Sequence, residues 1–368
     1  MNQNQFCHLH VHSSYSLLDS TIKIKDAVKH AKAMGMKYLA LTDHAVLYGA
    51  IEFYKEAKAN GIKPIIGCDA YVARNGIKER SSQKNNMSLV LLAKNQKGYE
   101  NLVKLISKAH LEGMYYKPRI DKELLSSYAE GLIALSGDLR GEVNEACSEN
   151  NLKKAEELAF EYLNILGKEN FYLELTYHGL KNDEDMPADQ ERWIEIAKKQ
   201  RVMNENLVKL SNKMGIPLVA TNDVHYLNKE HAEAHDVLTC LQRGMLVADP
   251  SRFRYLGDQL YLKSAEEMFS IFKDNPESLS NTIKIAESCN VEFSLSTADN
   301  PKKAEDLHFP TFPIPKEHKT GTCYLIFLAK KGLKELYKIE DIDNPKNDVE
   351  EKIKDRFYYE VSILKQTN

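Results

Sequence analysis

Short apolar runs alternate with amphipathic stretches from residue 6 to about residue 226. The amphipathic stretches, such as "IKDAVKHAKAMG" and "GYENLVKLISKAH", place apolar residues at helical spacing. The apolar runs are rich in strand-forming residues: "FCHLHVH", "KYLALTDH", "KPIIGCDAYV", "SLVLLAKN", "GLIALSGD", "FYLELTY" and "IPLVATNDVHY". Seven β-then-α units without a glycine-rich phosphate loop predict a parallel α/β barrel, a distorted (β/α)7-type fold, rather than an open dinucleotide-binding sheet.

The pattern changes after about residue 230, where helical stretches lead into the proline-bearing segment "LHFPTFPIPKEHKTG". We therefore predict a barrel domain over residues 1–280 and a smaller, mostly helical region over residues 281–368. The final stretch, "DVEEKIKDRFYYEVSILKQTN", has no capping signal at its end. We expect this chain to be part of a longer protein.

The composition of the chain excludes few classes of function. The 50 basic and 53 acidic side chains give a formal net charge of −3, so nucleic acid would have to bind a local patch. The six cysteines are scattered without a CxxC pair, which predicts reduced thiols in a cytoplasmic protein. The apolar runs are too short to cross a bilayer, so we expect no membrane association.

Polar residues stand at the ends of nearly all predicted strands. In barrels of this kind the chemistry is located at the C-terminal ends of the strands. His8, His10 and His12 also share one strand face, because side chains alternate along a strand. The strand-end candidates are His10, His12, Asp43, His44, Asp69, Ser88, Asp138, Asp223 and His225.

This set of imidazoles and carboxylates suits Zn²⁺, Mn²⁺ or Fe²⁺. Clustered divalent ions activate water and stabilise both oxygens of a phosphoester during displacement, which indicates phosphoester hydrolysis. Asp69 would be the natural bridging carboxylate. The alternative is a metal-free strand face whose histidines are packed and hydrogen-bonded.

The segments "HVHSSYSLLDS", "LALTDHAVLYGAIEFYKEAKANGIKPIIGCD", "LEGMYYKPRID" and "VATNDVHY" closely resemble the N-terminal PHP (polymerase and histidinol phosphatase) domain of bacterial DNA polymerase III alpha subunits. The resemblance extends over essentially the whole chain, and it implies that residues 281–368 form a linker and the start of the polymerase palm and thumb region. It implies a PHP fold and these metal ligands: His10, His12, Asp19, His44, Asp69, Asp138, Asp223 and His225. The resemblance assigns no role to His8, which lies next to these ligands in the sequence.

Three positions depart from the pattern of the family. Asp69 stands where glutamate is usual, Ser88 where histidine is usual, and Asp138 where cysteine or histidine is common. Serine is a poor ligand for Zn²⁺, whereas an aspartate oxygen favours harder ions such as Mn²⁺ or Mg²⁺. We therefore expect Zn²⁺ or Mn²⁺ in the PHP site, with fewer than three ions bound.

The resemblance also implies the functions of the full-length protein. It implies a DNA-directed DNA polymerase acting in replication, with DNA, a proofreading exonuclease subunit and a sliding clamp as partners. Polymerisation would require Mg²⁺ at a "PDFD"-like palm motif, which this sequence lacks. The PHP domain would add 3′–5′ exonuclease or phosphoesterase activity, in partly degenerate form. Two alternatives stay open: an autonomous metal-dependent phosphoesterase and a metal-free structural or interaction module.

Two further motifs each allow more than one interpretation. The segment "YYKPR", Tyr115 to Arg119, mixes aromatic and basic groups that suit either a nucleic-acid backbone or a packed loop. His231 and His235 are spaced as metal ligands on a helix would be, but without the glutamate of an HExxH motif. We expect these two histidines on a surface helix.

Overall fold

The computed structural model describes residues 5–80, 86–178, 191–249, 252–255, 257–295 and 312–366. The chain divides into two compact units, residues 1–293 and residues 294–368. The predicted assignment of residues 281–368 to the start of a polymerase region stays a prediction.

The described strands lie in the first unit, and all but the two short strands within residues 114–120 overlap predicted apolar runs. They are β1 (Tyr38–Leu41), β2 (Lys63–Ala73), β3 (Asn86–Ala93), β4 (Met114–Tyr115), β5 (Lys117–Ile120), β6 (Leu132–Leu135), β7 (Phe171–Thr176) and β8 (Leu218–Thr221).

The helices of the first unit fill most of the segments between the strands and continue after β8. They are α1 (Ile24–Ala33), α2 (Ala50–Ala59), α3 (Gln96–Leu111), α4 (Lys122–Ser127), α5 (Glu142–Ser148), α6 (Leu152–Leu166), α7 (Glu191–Met214), α8 (Ala232–Arg243), α9 (Ala265–Ile271) and α10 (Pro276–Ser288). Short 3₁₀ turns cover Lys168–Asn170 and Lys229–His231.

The extended N-terminal segment, residues 6–12, closes the sheet into a barrel. On one side the amide of Ala40 donates to the carbonyl of His8 at 3.0 Å. On the other side the amide of His12 donates to the carbonyl of Val224 at 2.9 Å, just beyond β8. Between these edges the pairing order is β1, β2, β3, β6, β7 and β8. The predicted seven-membered (β/α)7-type barrel is therefore confirmed.

The expectation that all strands run parallel is wrong for β3. This strand is antiparallel to both β2 and β6. Parallel neighbours need a long crossover, usually a helix, and the described residues 74–80 after β2 contain none. Ser88 consequently lies near the N-terminal end of its strand, not at the C-terminal end as predicted, yet it reaches the same rim.

Both faces of β3 are buried, which explains the apolar run at residues 89–93. Met87, Leu89 and Leu91 pack in the largest apolar cluster, with side chains of α3, α5 and α6. Val90 and Leu92 point to the other face and pack in a second cluster that contains Ala40, Ile65 and Leu135. The strand is thus held between two apolar layers.

The second unit contains α11 (Gly321–Tyr337) and α12 (Asp348–Gln366). Thr320 begins α11 by accepting a hydrogen bond from the amide of Cys323 at 3.2 Å. Ile339, Ile342 and Val361 are buried in this unit. Across the described segments of the chain, no helix combines the length and apolar character needed to span a membrane.

Leu91→Ala should destabilise the barrel, because Leu91 is fully buried in the largest cluster. The expected loss is about 2–5 kcal/mol in the free energy of unfolding, from lost burial and the cavity left behind. Leu111→Ala, at a site 83% exposed, is the matched control and should change stability by less than about 0.5 kcal/mol. Urea unfolding measures both, and equal effects would contradict this packing.

Candidate metal centre

Imidazoles and carboxylates from both ends of the first unit converge at one rim of the barrel. Three overlapping groups each have ligand atoms within 4.8 Å of one another. The groups are His10, His12 and Asp69; His12, His44 and His225; and Asp19, His225 and His235. Of the predicted ligands, Asp138 and Asp223 join none of these groups, but Asp223 contacts three of their histidines directly.

Asp223 lies at the centre of this cluster. Its Oδ1 atom is 3.4 Å from Nε2 of His10, 3.2 Å from Nε2 of His12 and 3.1 Å from Nε2 of His225. All four side chains are at most 1% exposed. One carboxylate oxygen thus faces three imidazole nitrogens away from water.

The far nitrogen of each of these three imidazoles has its own hydrogen-bond partner. Nδ1 of His10 is 2.8 Å from Oε1 of Glu174, Nδ1 of His12 is 3.0 Å from Oγ of Ser16, and Nδ1 of His225 is 2.6 Å from the carbonyl of Asp19. A carbonyl or carboxylate can only accept, so Nδ1 of His10 and of His225 holds a proton. Such bonds orient a ring and direct Nε2 toward a metal.

Ser16 orients the ring of His12 through a chain of hydrogen bonds. Its hydroxyl donates to Oδ1 of Asp43 at 2.7 Å and is therefore available as an acceptor for Nδ1–H of His12. Asp43 also accepts from the amide and hydroxyl of Ser13 at 2.6 and 2.8 Å. Asp43, a predicted strand-end candidate, is thus a support of the site.

His44 connects two carboxylates on the other side of the cluster. Its Nε2 lies 2.9 Å from Oδ2 of Asp19, and its Nδ1 lies 2.7 Å from Oδ2 of Asp69. The ring of His44 is also 4.1 Å from the ring of His12, measured between centroids.

The charges of the metal-free cluster follow from this geometry. Burial disfavours a charged His10, but the carboxylates of Glu174 and Asp223 outweigh burial and raise its pKa to about 10. Burial also opposes a charge on His44, whereas Asp19 and Asp69 raise its pKa to about 9. Burial together with His44 and His225 lowers the pKa of His12. Without metal, protonated imidazoles therefore balance buried carboxylates.

Asp138 lies beside the cluster, held by its own loop between β6 and α5. Nε of Arg140 donates to Oδ2 of Asp138 at 3.2 Å, and the Arg140 amide donates to Oδ1 at 2.8 Å. Gly137, with a φ of +85°, allows this tight turn, since a Cβ there would lie 2.6 Å from the carbonyl of Ser88. Ser88 itself donates to Oδ1 of Asp69 at 2.6 Å.

His8 and Arg119 serve the fold at positions away from the cluster. His8 donates from Nε2 to the carbonyl of Lys263 at 2.9 Å, and burial lowers its pKa to about 4. Arg119 of "YYKPR" is 2% exposed and donates to the carbonyls of Gly113, Glu79 and Ile77. The packed-loop interpretation holds for Arg119, and the nucleic-acid interpretation does not.

The expectation that His235 lies on the surface is wrong. This residue is 2% exposed, and its Nε2 donates to the carbonyl of Asp19 at 2.9 Å, whereas His231 is exposed. Glu174 was missed altogether, although an acidic residue between leucines in an apolar strand is a signal of an inward-facing carboxylate. The positions of His235 and Glu174 along the sequence form no recognisable motif with the predicted metal ligands.

Three of the six described non-glycine residues with a positive φ lie at this cluster. Leu18, Ala45 and Asp223 have φ values of +60°, +51° and +50° without being glycine. Leu18 precedes Asp19, and Ala45 follows His44. Strained backbone of this kind commonly marks functional sites, where the surrounding structure holds it in place.

Several buried atoms of the cluster contact an oppositely charged group but have no hydrogen bond of good geometry within the described residues. They are Nε2 of His10, Nε2 of His12, both ring nitrogens of His44 and Oδ2 of Asp69. Buried polar atoms without such a hydrogen bond are costly and rare in folded proteins. Here all of them are nitrogen or carboxylate oxygen atoms of the same cluster, so the residues fit a divalent ion with mixed nitrogen and oxygen ligands.

Residues 8–178 match the family model of the PHP domain, and this part of the chain is therefore a PHP domain. DNA polymerase III subunit alpha of Borreliella burgdorferi is 42% identical over 98% of this chain, that of Treponema pallidum 39% over 99%, and that of Thermus aquaticus 39% over 90%. Over nearly its whole length the chain is therefore similar to part of these alpha subunits.

The chain spans 26–29% of the length of these three relatives. Among solved structures, a putative metal-dependent phosphoesterase from Bifidobacterium adolescentis covers 72% of this chain and 96% of its own chain, at 11% identity and a TM-score of 0.30. At that TM-score the two chains share too little geometry to support an inference.

Lys263 supports the loop that holds Asp223. Its amino group donates to Oδ1 of Asn222 at 3.1 Å and to the carbonyl of Gln259. Asn222 in turn donates to the carbonyls of Gln259 and Tyr261 at 2.8 Å each. Burial lowers the pKa of Lys263 to about 7.

Lys263→Met should change how stability depends on pH. Between about pH 7 and pH 10 the unfolded wild type binds the Lys263 proton and the folded protein does not, so this residue makes stability rise with pH. The variant should lose that rise, whereas Lys104→Met, at an exposed lysine, should keep it. Urea unfolding from pH 7 to 10 measures the difference. Parallel curves for wild type and Lys263→Met would refute a buried neutral amine.

Proposed function

We propose that the PHP domain binds one or two divalent ions, Zn²⁺ or Mn²⁺, and hydrolyses phosphoesters. His10, His12, Asp69, Asp223 and His225 would form the first ligand set, and His44 with Asp19 the second. The supporting observation is the convergence of Nε2 atoms whose Nδ1 partners already fix the rings. When bound, such ions supply an activated water and electrophilic stabilisation of the phosphoryl group.

The residues of this chain have distinct tasks in that chemistry. Glu174 orients His10, Ser16 orients His12, and the carbonyl of Asp19 orients His225. His10 and His44 must lose their extra protons before their nitrogens can act as ligands, so metal binding should release protons. Burial of Asp223 and of the three imidazoles around it keeps bulk water away from these groups.

Two observations support fewer than three ions. Arg140 already neutralises Asp138, which weakens this predicted ligand, and Ser88 donates its hydroxyl to Asp69 instead of offering an imidazole. A third ion at this side of the cluster would have to displace the guanidinium.

For the full-length protein we propose a DNA-directed DNA polymerase, a nucleotidyltransferase of DNA replication in the cytoplasm. Similarity to the alpha subunits over nearly the whole chain supports this proposal. DNA, a proofreading exonuclease subunit and a sliding clamp would be its partners. The Mg²⁺ of polymerisation would bind outside this chain, because the "PDFD"-like motif does not occur in it. A 3′–5′ exonuclease is the form of hydrolysis that fits such a protein.

A metal-free structural module is the second candidate. It is favoured by the raised pKa values of His10 and His44, since protonated imidazoles can neutralise the buried carboxylates without an ion. The two candidates differ in their response to metal. An ion at a hundred times its dissociation constant would stabilise the fold by about 2.7 kcal/mol, whereas a metal-free network would not respond.

Ser16→Ala should weaken Mn²⁺ binding by about 10–100-fold, because His12 loses the acceptor that orients its ring. Ser14→Ala is the matched control, since Ser14 is exposed and two residues away, and it should bind as the wild type does. Isothermal titration calorimetry of EDTA-treated protein measures both affinities. Equal affinities for the two variants would contradict this role of Ser16.

The purified chain should hydrolyse a phosphodiester such as bis-p-nitrophenyl phosphate when Mn²⁺ or Zn²⁺ is added. His12→Ala combined with Asp223→Ala removes two central groups and should reduce the metal-stimulated rate to that of buffer. The Ser14→Ala protein again serves as the control. If the wild type hydrolysed the substrate no faster than the double variant with each metal tried, an autonomous phosphoesterase would be excluded.

A further inference from the structure

A cleft of about 410 Å³ opens beside the metal centre. It shares Asp138, Arg140 and Tyr255 with the surroundings of the cluster. The hydroxyl of Tyr255 donates to Oδ1 of Asp19 at 3.2 Å, and its ring lies 5.5 Å from that of His225 between centroids. A molecule in the cleft would therefore reach the candidate metal ligands directly.

Arg140 extends from the buried cluster to this cleft. Its Nε is bound to Asp138, which fixes the plane of the guanidinium. Its Nη2 is buried, has no hydrogen-bond partner among the described residues, and lies 3.9 Å from Oδ2 of Asp69. The side chain as a whole is 41% exposed and lines the cleft, while Nη2 lies on the side of the cluster.

A second buried polar atom belongs to a residue of the same cleft. Nε2 of His178 has no hydrogen bond to any described residue, and His178 lines the cleft. A ligand that offers oxygen atoms would satisfy both His178 and Arg140. Polar satisfaction of this kind is a general requirement for buried groups.

The outer part of the cleft combines positive charge with aromatic rings. The guanidinium of Arg243 lies 3.9 Å from the centroid of the Phe253 ring, and Arg254 follows directly. Phe253 and Tyr255 are both partly exposed and pack edge to face at 5.1 Å. Of the acidic groups that line the cleft, Asp138 is paired with Arg140 and Glu145 with Arg74, which leaves Glu149.

We propose that this cleft binds a nucleotide, with Arg140 on a phosphate oxygen and the base against Phe253. A guanidinium presents paired N–H donors that match phosphate oxygens, and aromatic rings stack on any base. This inference deepens the proposed function, since it places the phosphate next to Asp69 and Asp223. The nucleotide is either free or the terminal unit of a DNA strand.

Calorimetry on EDTA-treated protein tests the cleft without metal, so its outcome is independent of metal binding. The probes are inorganic phosphate, thymidine 5′-monophosphate and a 5′-phosphorylated thymidine tetranucleotide. We expect all three to bind the wild type. A tetranucleotide that binds more tightly than the mononucleotide identifies a strand end as the ligand, and equal affinities identify the single nucleotide.

Arg140→Ala should weaken phosphate and thymidine 5′-monophosphate alike, by about tenfold or more. Phe253→Ala should weaken only the nucleotide, by about fivefold or more, and leave phosphate unchanged. Arg201→Ala, at an exposed arginine that lines a different cleft, is the matched control.

Arg140→Lys is the second variant, needed if Arg140→Ala fails to fold. It keeps the charge near Asp138 but not the paired N–H donors. It should bind phosphate with intermediate affinity and unfold in urea as the wild type does. Absence of phosphate binding to the wild type, or unchanged binding by both Arg140 variants, would overturn the proposal. Loss of Mn²⁺ binding would instead count against the proposed metal centre alone.

Discussion

A buried carboxylate surrounded by imidazoles is the interaction on which this structure depends. Oδ1 of Asp223 lies within 3.4 Å of three Nε2 atoms, and these side chains are almost fully removed from water. A carboxylate in such surroundings would be very unfavourable alone, so cations must accompany it. Protonated histidines can supply that charge, and so can a divalent ion. The choice between these two cations decides whether the site is structural or catalytic.

Closure of the barrel is what brings these groups together. His10 and His12 lie near the start of the chain, and Asp223 and His225 lie more than two hundred residues later. The N-terminal segment pairs with the residues after β8 through the bridge between Val11 and Val224. On its other side the bond from Ala40 to His8 ties it to β1. The same two sets of backbone bonds therefore close the fold and assemble the cluster.

Much of this arrangement could be predicted from the sequence, because it depends on local periodicity. Alternation of side chains along the N-terminal segment predicted that His10 and His12 share one face. The order of the β-then-α units predicted that His44, Asp69 and Asp223 lie at one rim. The direction of β3 could not be read in this way, since strand periodicity is the same for parallel and antiparallel pairing. The capture of Asp138 by Arg140 depends on a loop conformation. The burial of His235 depends on how α8 packs against Asp19, and spacing along the chain does not contain that information.

Anomalous X-ray scattering from crystals grown with Mn²⁺ tests the central claim most directly. The account predicts one or two anomalous peaks enclosed by His10, His12, Asp69, Asp223 and His225, and by the neighbouring His44 and Asp19. Crystals that show Mn²⁺ only at exposed carboxylates, with this cluster held together by hydrogen bonds alone, would contradict it.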